Sequence, residues 1–410
     1  MNPNYVTGLR CVVCGATHST EVMYTCPACG NDGILDVLYN YDAIREYLNT
    51  SVLASRPFDI WRYRELLPIS TESKRPHLQL GWSPIYDSSE LARHLGIARL
   101  FIKDEGRNPT ASFKDRASAI GVIKAMEFGF TTIACASTGN AASSLAGMAA
   151  ACGLRSIIFV PERAPEPKVT QLLIFGATVL KVKGTYENAY DLCMQACEKF
   201  GWYNRNCAIN PYLVEGKKTA GLEIAEQLQD EIPDWVVFSV GDGCTIAGAW
   251  KGLSEMRRLG IITRLPRMLG VQPKGAAPIA TAWRSGKDLV PISAQSLADS
   301  ICVGTPRNWH KALHAIQESN GAMITVSDDE ILAAMRLLAR KAAVFGEPAG
   351  VASLAGLQNA VREGIIGANQ SALIAITGNG LKDIQSAIRA AGQAHVIEPR
   401  LEEVEAIVGV

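Results

Sequence analysis

The stretch Thr132-Ile133-Ala134-Cys135-Ala136-Ser137-Thr138-Gly139-Asn140-Ala141 passes from an apolar, β-branched run to a cluster of small polar residues. The first half suits a short strand. The second half suits a turn into a helix, because Ser, Thr and Asn best satisfy the unpaired amides at a helix start. A helix is therefore expected over Ala141–Cys152. Outward from this unit the pattern repeats. Apolar runs at Leu100–Lys103, Ser156–Val160, Thr178–Val182, Trp235–Val240, Met268–Val271, Ala322–Val326 and Ala372–Thr377 alternate with longer segments of helical period. Those segments are Phe113–Phe128, Lys168–Phe175, Tyr186–Phe200, Thr219–Leu228, Ile246–Leu259, Asp328–Val344 and Leu381–Ala391. Such alternation predicts an α/β fold, a parallel sheet with crossover helices.

The chain has 410 residues, enough for two or three structural units. Its 40 basic and 40 acidic side chains leave no net field to attract nucleic acid or an anionic membrane surface, so a small molecule is the expected partner. No apolar run reaches the roughly 20 residues of a membrane span, and the N-terminus has no leader pattern, which together predict a cytoplasmic protein. Seven of the 11 cysteines are scattered through apolar segments, as in a reducing compartment.

The other four form two knuckles, Cys11-Val12-Val13-Cys14-Gly15 and Cys26-Pro27-Ala28-Cys29-Gly30. Each glycine lets the backbone turn beneath its thiolates, so four sulfurs can converge on one tetrahedral ion, and a closed four-sulfur zinc site is structural rather than catalytic. The alternatives are a redox pair, a disulfide framework or a knuckle without metal. Residues 36–84 read as a Pro-punctuated lead-in with short helical stretches at Tyr41–Tyr47 and Asp59–Leu66.

Four stretches carry candidate chemistry, each where a strand gives way to a loop or helix, the usual ligand position in open α/β sheets. Asn108-Pro109-Thr110-Ala111-Ser112-Phe113-Lys114-Asp115-Arg116 opens a helix; an amine beside the positive end of the helix dipole is favoured in its neutral, nucleophilic form. Ser137 to Asn140 offers amides and hydroxyls for a carboxylate. Val240-Gly241-Asp242-Gly243-Cys244-Thr245 permits close approach of backbone amides to a phosphate; it lacks the third glycine of a dinucleotide fingerprint and the lysine of a nucleotide-binding loop. Thr377-Gly378-Asn379-Gly380-Leu381-Lys382-Asp383 ends the last strand with a hydroxyl. Taken singly, each stretch also has an ordinary reading as a solvated charge, a helix cap or a turn.

In this order the four stretches resemble the fold type II pyridoxal-phosphate enzymes, and the threonine synthase branch most closely. Asn210-Pro211, Glu215-Gly216-Lys217-Lys218-Thr219 and Phe345-Gly346-Glu347-Pro348-Ala349-Gly350 add to the likeness, as does the cysteine knuckle. The resemblance implies a two-lobed, three-layer fold like that of the tryptophan synthase β chain. Its larger lobe would take residues 85–130 and 215–410, its small mobile lobe 131–214, and a zinc knuckle 1–35. It implies that Lys114 carries pyridoxal phosphate as a Schiff base and moves protons. Asn140 would bond the phenolic oxygen, while Ser137 and Thr138, with Asn140, would hold the substrate carboxylate. Gly241, Asp242, Gly243, Cys244 and Thr245 would hold the cofactor phosphate, and Thr377 would face the ring nitrogen. It further implies a homodimer and the reaction of O-phosphohomoserine with water to give threonine and phosphate.

The sequence departs from that family in two places. Leu213 stands where an arginine usually binds the substrate phosphate, and Ala141 where a hydroxyl residue often follows the Asn; Lys217, Lys218, Arg116 and Lys168 are the cations expected to substitute. Ala298-Asp299-Ser300-Ile301 resembles the hydroxy-amino-acid dehydratases instead. The alternative activity is thus a related lyase or β-replacement enzyme acting on threonine, serine, or a phosphorylated or sulfonated serine relative, as in cysteate synthesis. A non-catalytic scaffold that binds a partner through its knuckle would have no reason to keep Lys114, Asn140 and the glycine turn together.

Overall fold

A computed structural model describes residues 5–21, 24–206 and 208–409. Within these residues the chain builds three sheets. β1 (Val6–Cys11), β2 (Thr17–His18) and β3 (Leu35–Tyr39) form a small antiparallel ribbon in the order β2-β1-β3. The six-stranded sheet begins with β4 (Ile85–Asp87) and β5 (Arg99–Asp104). The chain then leaves to build a four-stranded parallel sheet from β6 (Thr132–Ala136), β7 (Arg155–Pro161), β8 (Thr178–Val182) and β9 (Tyr203–Asn204), ordered β8-β7-β6-β9. It returns through β10 (Trp235–Ser239), β11 (Arg267–Pro273), β12 (Ala322–Val326) and β13 (Ser371–Ile376).

The larger sheet runs β12-β11-β10-β13-β5-β4, parallel except for β4 at its edge. This order decides where a site can form. The last strand, β13, slots between β10 and β5, so the loops that leave these three strands at their carboxyl ends lie side by side. They carry Thr377, the Gly241–Thr245 turn and the Lys114 loop.

The expected strands and most expected helices are found, with two instructive differences. The helix expected at Thr219–Leu228 spans Pro211–Gln227, with Pro at its start and Asn210 capping Tyr212 N at 3.1 Å. Its first turns carry Glu215 and Lys218, the latter expected as a phosphate cation; they are fully buried as a pair at 2.6 Å, with Lys218 also 3.1 Å from Glu255. Pro348–Arg362 forms a helix that no amphipathic pattern announces, because it is buried on nearly all sides. Its Gly356 lies so close to β11 that a Cβ there would stand 2.3 Å from Val271 Cγ2.

Candidate active site

Lys114 is the first residue of the helix Lys114–Glu127. The loop before it turns through Ala111, whose φ of 63° is unusual for a residue with a side chain. Ties to the β13 loop hold that conformation: Phe113 N donates to Thr377 O at 2.9 Å and Asn379 N to Ala111 O at 3.0 Å. Two residues on, Arg116 clamps the helix start to the scaffold. Its guanidinium donates to both oxygens of Glu105 (2.8 and 2.9 Å) and of Glu223 (2.5 and 2.7 Å), while Lys103 Nζ reaches Glu223 at 2.9 Å. All four side chains are fully buried. Burial alone would raise the Glu223 pKa, but Arg116 and Lys103 hold it down to about 2. Arg116 and Lys218 are thus committed to internal carboxylates.

Asn140 is the first residue of the helix Asn140–Cys152, directly after the Ser137–Gly139 loop, in which Gly139 N donates to Ser137 Oγ at 3.2 Å. Its Nδ2 donates to Glu347 Oε1 at 2.6 Å and lies 3.5 Å from Ser300 Oγ. Glu347 is buried, and burial pushes its pKa up to about 7 against the pull of Lys382 and Lys114. Gly378 makes room for this carboxylate, since a Cβ at that position would fall 2.3 Å from Glu347 Oε1. Thr138, Asn140, Glu347, Ser300, Lys168 and Lys382 line one cleft. Lys168 reaches across it to Asp299 at 2.8 Å. Lys382, its pKa lowered by burial, donates to Thr110 O, Ser143 Oγ and Gln171 Oε1.

The glycine turn follows β10. Gly243, at φ 94°, precedes the helix Cys244–Arg258, whose first two residues are Cys244 and Thr245. A Cβ on Gly243 would stand 2.8 Å from Ala312 Cβ and 2.9 Å from Asn308 O. Beside it Asn308 is fully buried with neither side-chain atom hydrogen-bonded, and Ser112 Oγ, near Lys114, is a second buried polar atom with no partner. Orphaned polar atoms at a glycine turn and beside a lysine suit a polar ligand with a phosphate at one end. The residues present fit pyridoxal phosphate.

The strand order thus draws the predicted residues into one neighbourhood. Lys114 is joined to Thr377 through Phe113, Asn140 to the β13 loop through Glu347 and Gly378, and Gly241 to Asn140 through Ser300, whose carbonyl would be 3.5 Å from a Cβ on Gly241. Glu347 and Lys382 were given no role by sequence reasoning; a carboxylate between glycine and proline after a helix, in Phe345–Gly350, was the available signal for the first.

The cysteine quartet belongs to the ribbon instead. The four sulfurs lie within 4.8 Å of one another, and Cys14 Sγ and Cys26 Sγ are 3.8 Å apart. Tetrahedral zinc with Zn–S bonds of about 2.3 Å sets its sulfurs about 3.8 Å apart, so the donors fit that ion. Gly15 and Gly30 have φ of 76° and 59°, and each donates its N–H to the carbonyl of the first cysteine of its knuckle.

Residues 77–378 match the family model of pyridoxal-phosphate-dependent enzymes. The chain is 42% identical to a threonine synthase of Methanocaldococcus jannaschii over 95% of its own length and 96% of the relative's. It is 40% identical to one of Methanosarcina acetivorans over 98% of each. Among solved structures, a tomato threonine deaminase isoform shares the fold with a TM-score of 0.65 at 23% identity, covering 75% of this chain and 87% of that one. Maize serine racemase does so with a TM-score of 0.65 at 20% identity, covering 80% and 93%. The fold is therefore that of the fold type II enzymes, and the chain belongs to the threonine synthase family of pyridoxal-phosphate-dependent lyases.

Proposed function

We propose that this chain converts O-phosphohomoserine and water into threonine and inorganic phosphate, as a carbon–oxygen lyase acting on a phosphate ester. The end-to-end similarity to two threonine synthases carries this reading. The cofactor, when bound, supplies an electron sink for the α- and β-carbons, kept weak by a hydroxyl at the ring nitrogen so that elimination and replacement prevail over transamination.

The chain's own residues then divide the work. Lys114 anchors the cofactor; its amine, once released, takes protons from the α- and β-carbons and returns them as phosphate leaves and water adds. Asn140 orients the phenolic oxygen, with Glu347 behind it. Ser137 and Thr138 receive the substrate carboxylate. Gly241, Asp242, Gly243, Cys244 and Thr245 take the cofactor phosphate, and Thr377 meets the ring nitrogen. Residues 131–214 act as a small mobile lobe over a larger one of 85–130 and 215–410, closing to exclude water until it is needed. A structural zinc on Cys11, Cys14, Cys26 and Cys29 and a cytoplasmic homodimer complete the reading. Among the described residues no helix is long and apolar enough to cross a membrane.

A second reading, a dehydratase-like lyase, has one observation in its favour: Asp299 and Ser300 stand in the cleft beside Asn140. Phosphate release from O-phosphohomoserine, against 2-oxo-acid release from threonine or serine, separates the two. Lys114→Ala should abolish the visible absorption of the cofactor-loaded protein and all turnover; a variant that retained both would overturn the assignment of Lys114.

A further inference from the structure

We infer that Arg205, with the hydroxyls of Ser118 and Ser144, is the subsite for the distal anionic group of the substrate, the group that leaves. The inference rests on the threonine synthase reading and supplies the cation that the chain lacks at position 213.

Arg205 is one of the largest fully buried side chains, 1% exposed. It follows β9 and donates its backbone N–H to Ala134 O at 2.9 Å, which continues the pairing with β6 toward the strand ends from which the Ser137–Asn140 loop emerges. Its Nε and Nη2 donate to Ser118 Oγ at 3.2 and 2.9 Å. Ser118 Oγ lies 2.6 Å from Ser144 Oγ, and Ser144 donates to Ala141 O at 3.1 Å. Ser118 lies one turn beyond Lys114 in its helix, and Ser144 one turn beyond Asn140. The cluster therefore backs both residues assigned to the reacting end, at about the 5.4 Å of a helical turn. That span is comparable to the few bonds between the α-carbon and the phosphorus of O-phosphohomoserine.

Of the deeply buried cations, Arg62, Arg116, Lys103 and Lys218 each face a carboxylate. Among the described residues no carboxylate lies within 4.0 Å of Arg205. The nearby Cys135 thiol, held up at about 12 by burial, supplies no negative charge. A buried guanidinium whose side-chain hydrogen bonds, among the described residues, go to a hydroxyl and to no carboxylate is costly, and an anion from the substrate would relieve it, most strongly in a site sealed from water. Leu213 shows how the exchange is accommodated. It is buried against Gly121, where a Cβ would fall 2.5 Å from Leu213 Cδ2 and 4.0 Å from Arg205 Cγ. The two side chains share the bare face of that glycine, so Arg205 brings a guanidinium to the neighbourhood that residue 213 also occupies.

The test uses the cofactor-loaded enzyme and the variants Arg205→Met, Arg205→Lys, Ser118→Ala and Ser144→Ala. Measured are KM for O-phosphohomoserine, Ki for inorganic phosphate, the visible cofactor band and the melting temperature. Arg205→Met should raise KM and Ki by about tenfold or more with the band unchanged, Arg205→Lys by less, and each serine variant by a few-fold. KM and Ki within twofold of the parent, with only the melting temperature reduced, would show Arg205 to be structural and overturn the proposal. If Arg205→Met does not fold, an unchanged Ki in both serine variants overturns it equally. A parent enzyme that releases no phosphate from O-phosphohomoserine fails the threonine synthase reading instead. The subsite is then judged by spectral titration with O-phosphoserine: weaker binding in Arg205→Lys sustains it, and equal binding overturns it.

Discussion

Asn140 and Glu347, 207 positions apart in sequence, share a 2.6 Å hydrogen bond in which the amide donates to a buried carboxyl oxygen. The contact joins the four-stranded unit to the loop beside β13, because Glu347 N in turn donates to Gly378 O at 3.0 Å. The residue assigned to the cofactor's phenolic oxygen is thereby oriented by a group whose charge changes near neutral pH.

Burial raises the Glu347 pKa to about 7, so between its ordinary value near 4.5 and pH 7 the folded protein holds a proton that the unfolded chain has lost. Stability must therefore fall as pH rises through that window and level off above it, by roughly 3 kcal/mol for a shift of this size. Glu347→Gln, which keeps the acceptor but cannot ionise, should remove this loss. Urea midpoints of the cofactor-free proteins at pH 5 and pH 8 provide the check. A parent and variant with the same difference between the two pH values would refute the assignment.

The buried cluster under Lys114 makes a second prediction. Glu223→Gln leaves Arg116 and Lys103 short of negative charge in a dry interior, a loss of about 3–5 kcal/mol. Arg116→Met should cost a similar amount, and the double variant less than the sum, because both remove one network. Denaturant midpoints read the effect; strict additivity would mean that the two side chains do not act together.

Gly378→Ala is the third. Its Cβ would overlap Glu347 Oε1 at 2.3 Å and Cδ at 2.6 Å, forcing the carboxylate off Asn140. Cofactor affinity, read by titrating the visible band, should weaken while the far-ultraviolet dichroism stays unchanged. Gly364→Ala serves as the control, because a Cβ there meets nothing within 4 Å, although its φ of 73° adds a local backbone strain. Equal cofactor affinity in the Gly378 variant and the parent would remove Glu347 from the cofactor's support.

These relationships mark the boundary of what the sequence makes legible. The strand, turn and helix at Thr132–Cys152 could be read because polarity and period change within a few residues, and the cysteine knuckles because their spacing is local. The Pro211–Thr219 half-helix could not, since the partners that bury Glu215 and Lys218, namely Lys251 and Glu255, come from a neighbouring helix. Glu347 and Arg205 stayed silent for the same reason. A buried charge takes its meaning from partners brought by the fold, and nothing in the flanking residues names them.

The ribbon supplies the last prediction. Asp36 accepts from Lys251 at 3.1 Å and Lys311 at 2.9 Å, Tyr39 donates to Glu215 at 2.8 Å, and Tyr212 donates to Thr20 O at 2.9 Å. The ribbon is thus fastened to the helix Cys244–Arg258 and to the helix Pro211–Gln227, whose first turn lies next to Arg205 through Leu213. If zinc closes the ribbon, a chelator should remove about one ion per chain, lower the melting temperature by several degrees and raise KM more than it lowers kcat, because the loosened contact lies on the substrate side. Cys14→Ser, at the most exposed of the four thiols, should reproduce the effect without chelator. Purified protein with no bound metal and a melting temperature indifferent to both treatments would mean that the four thiols stabilise the ribbon without an ion.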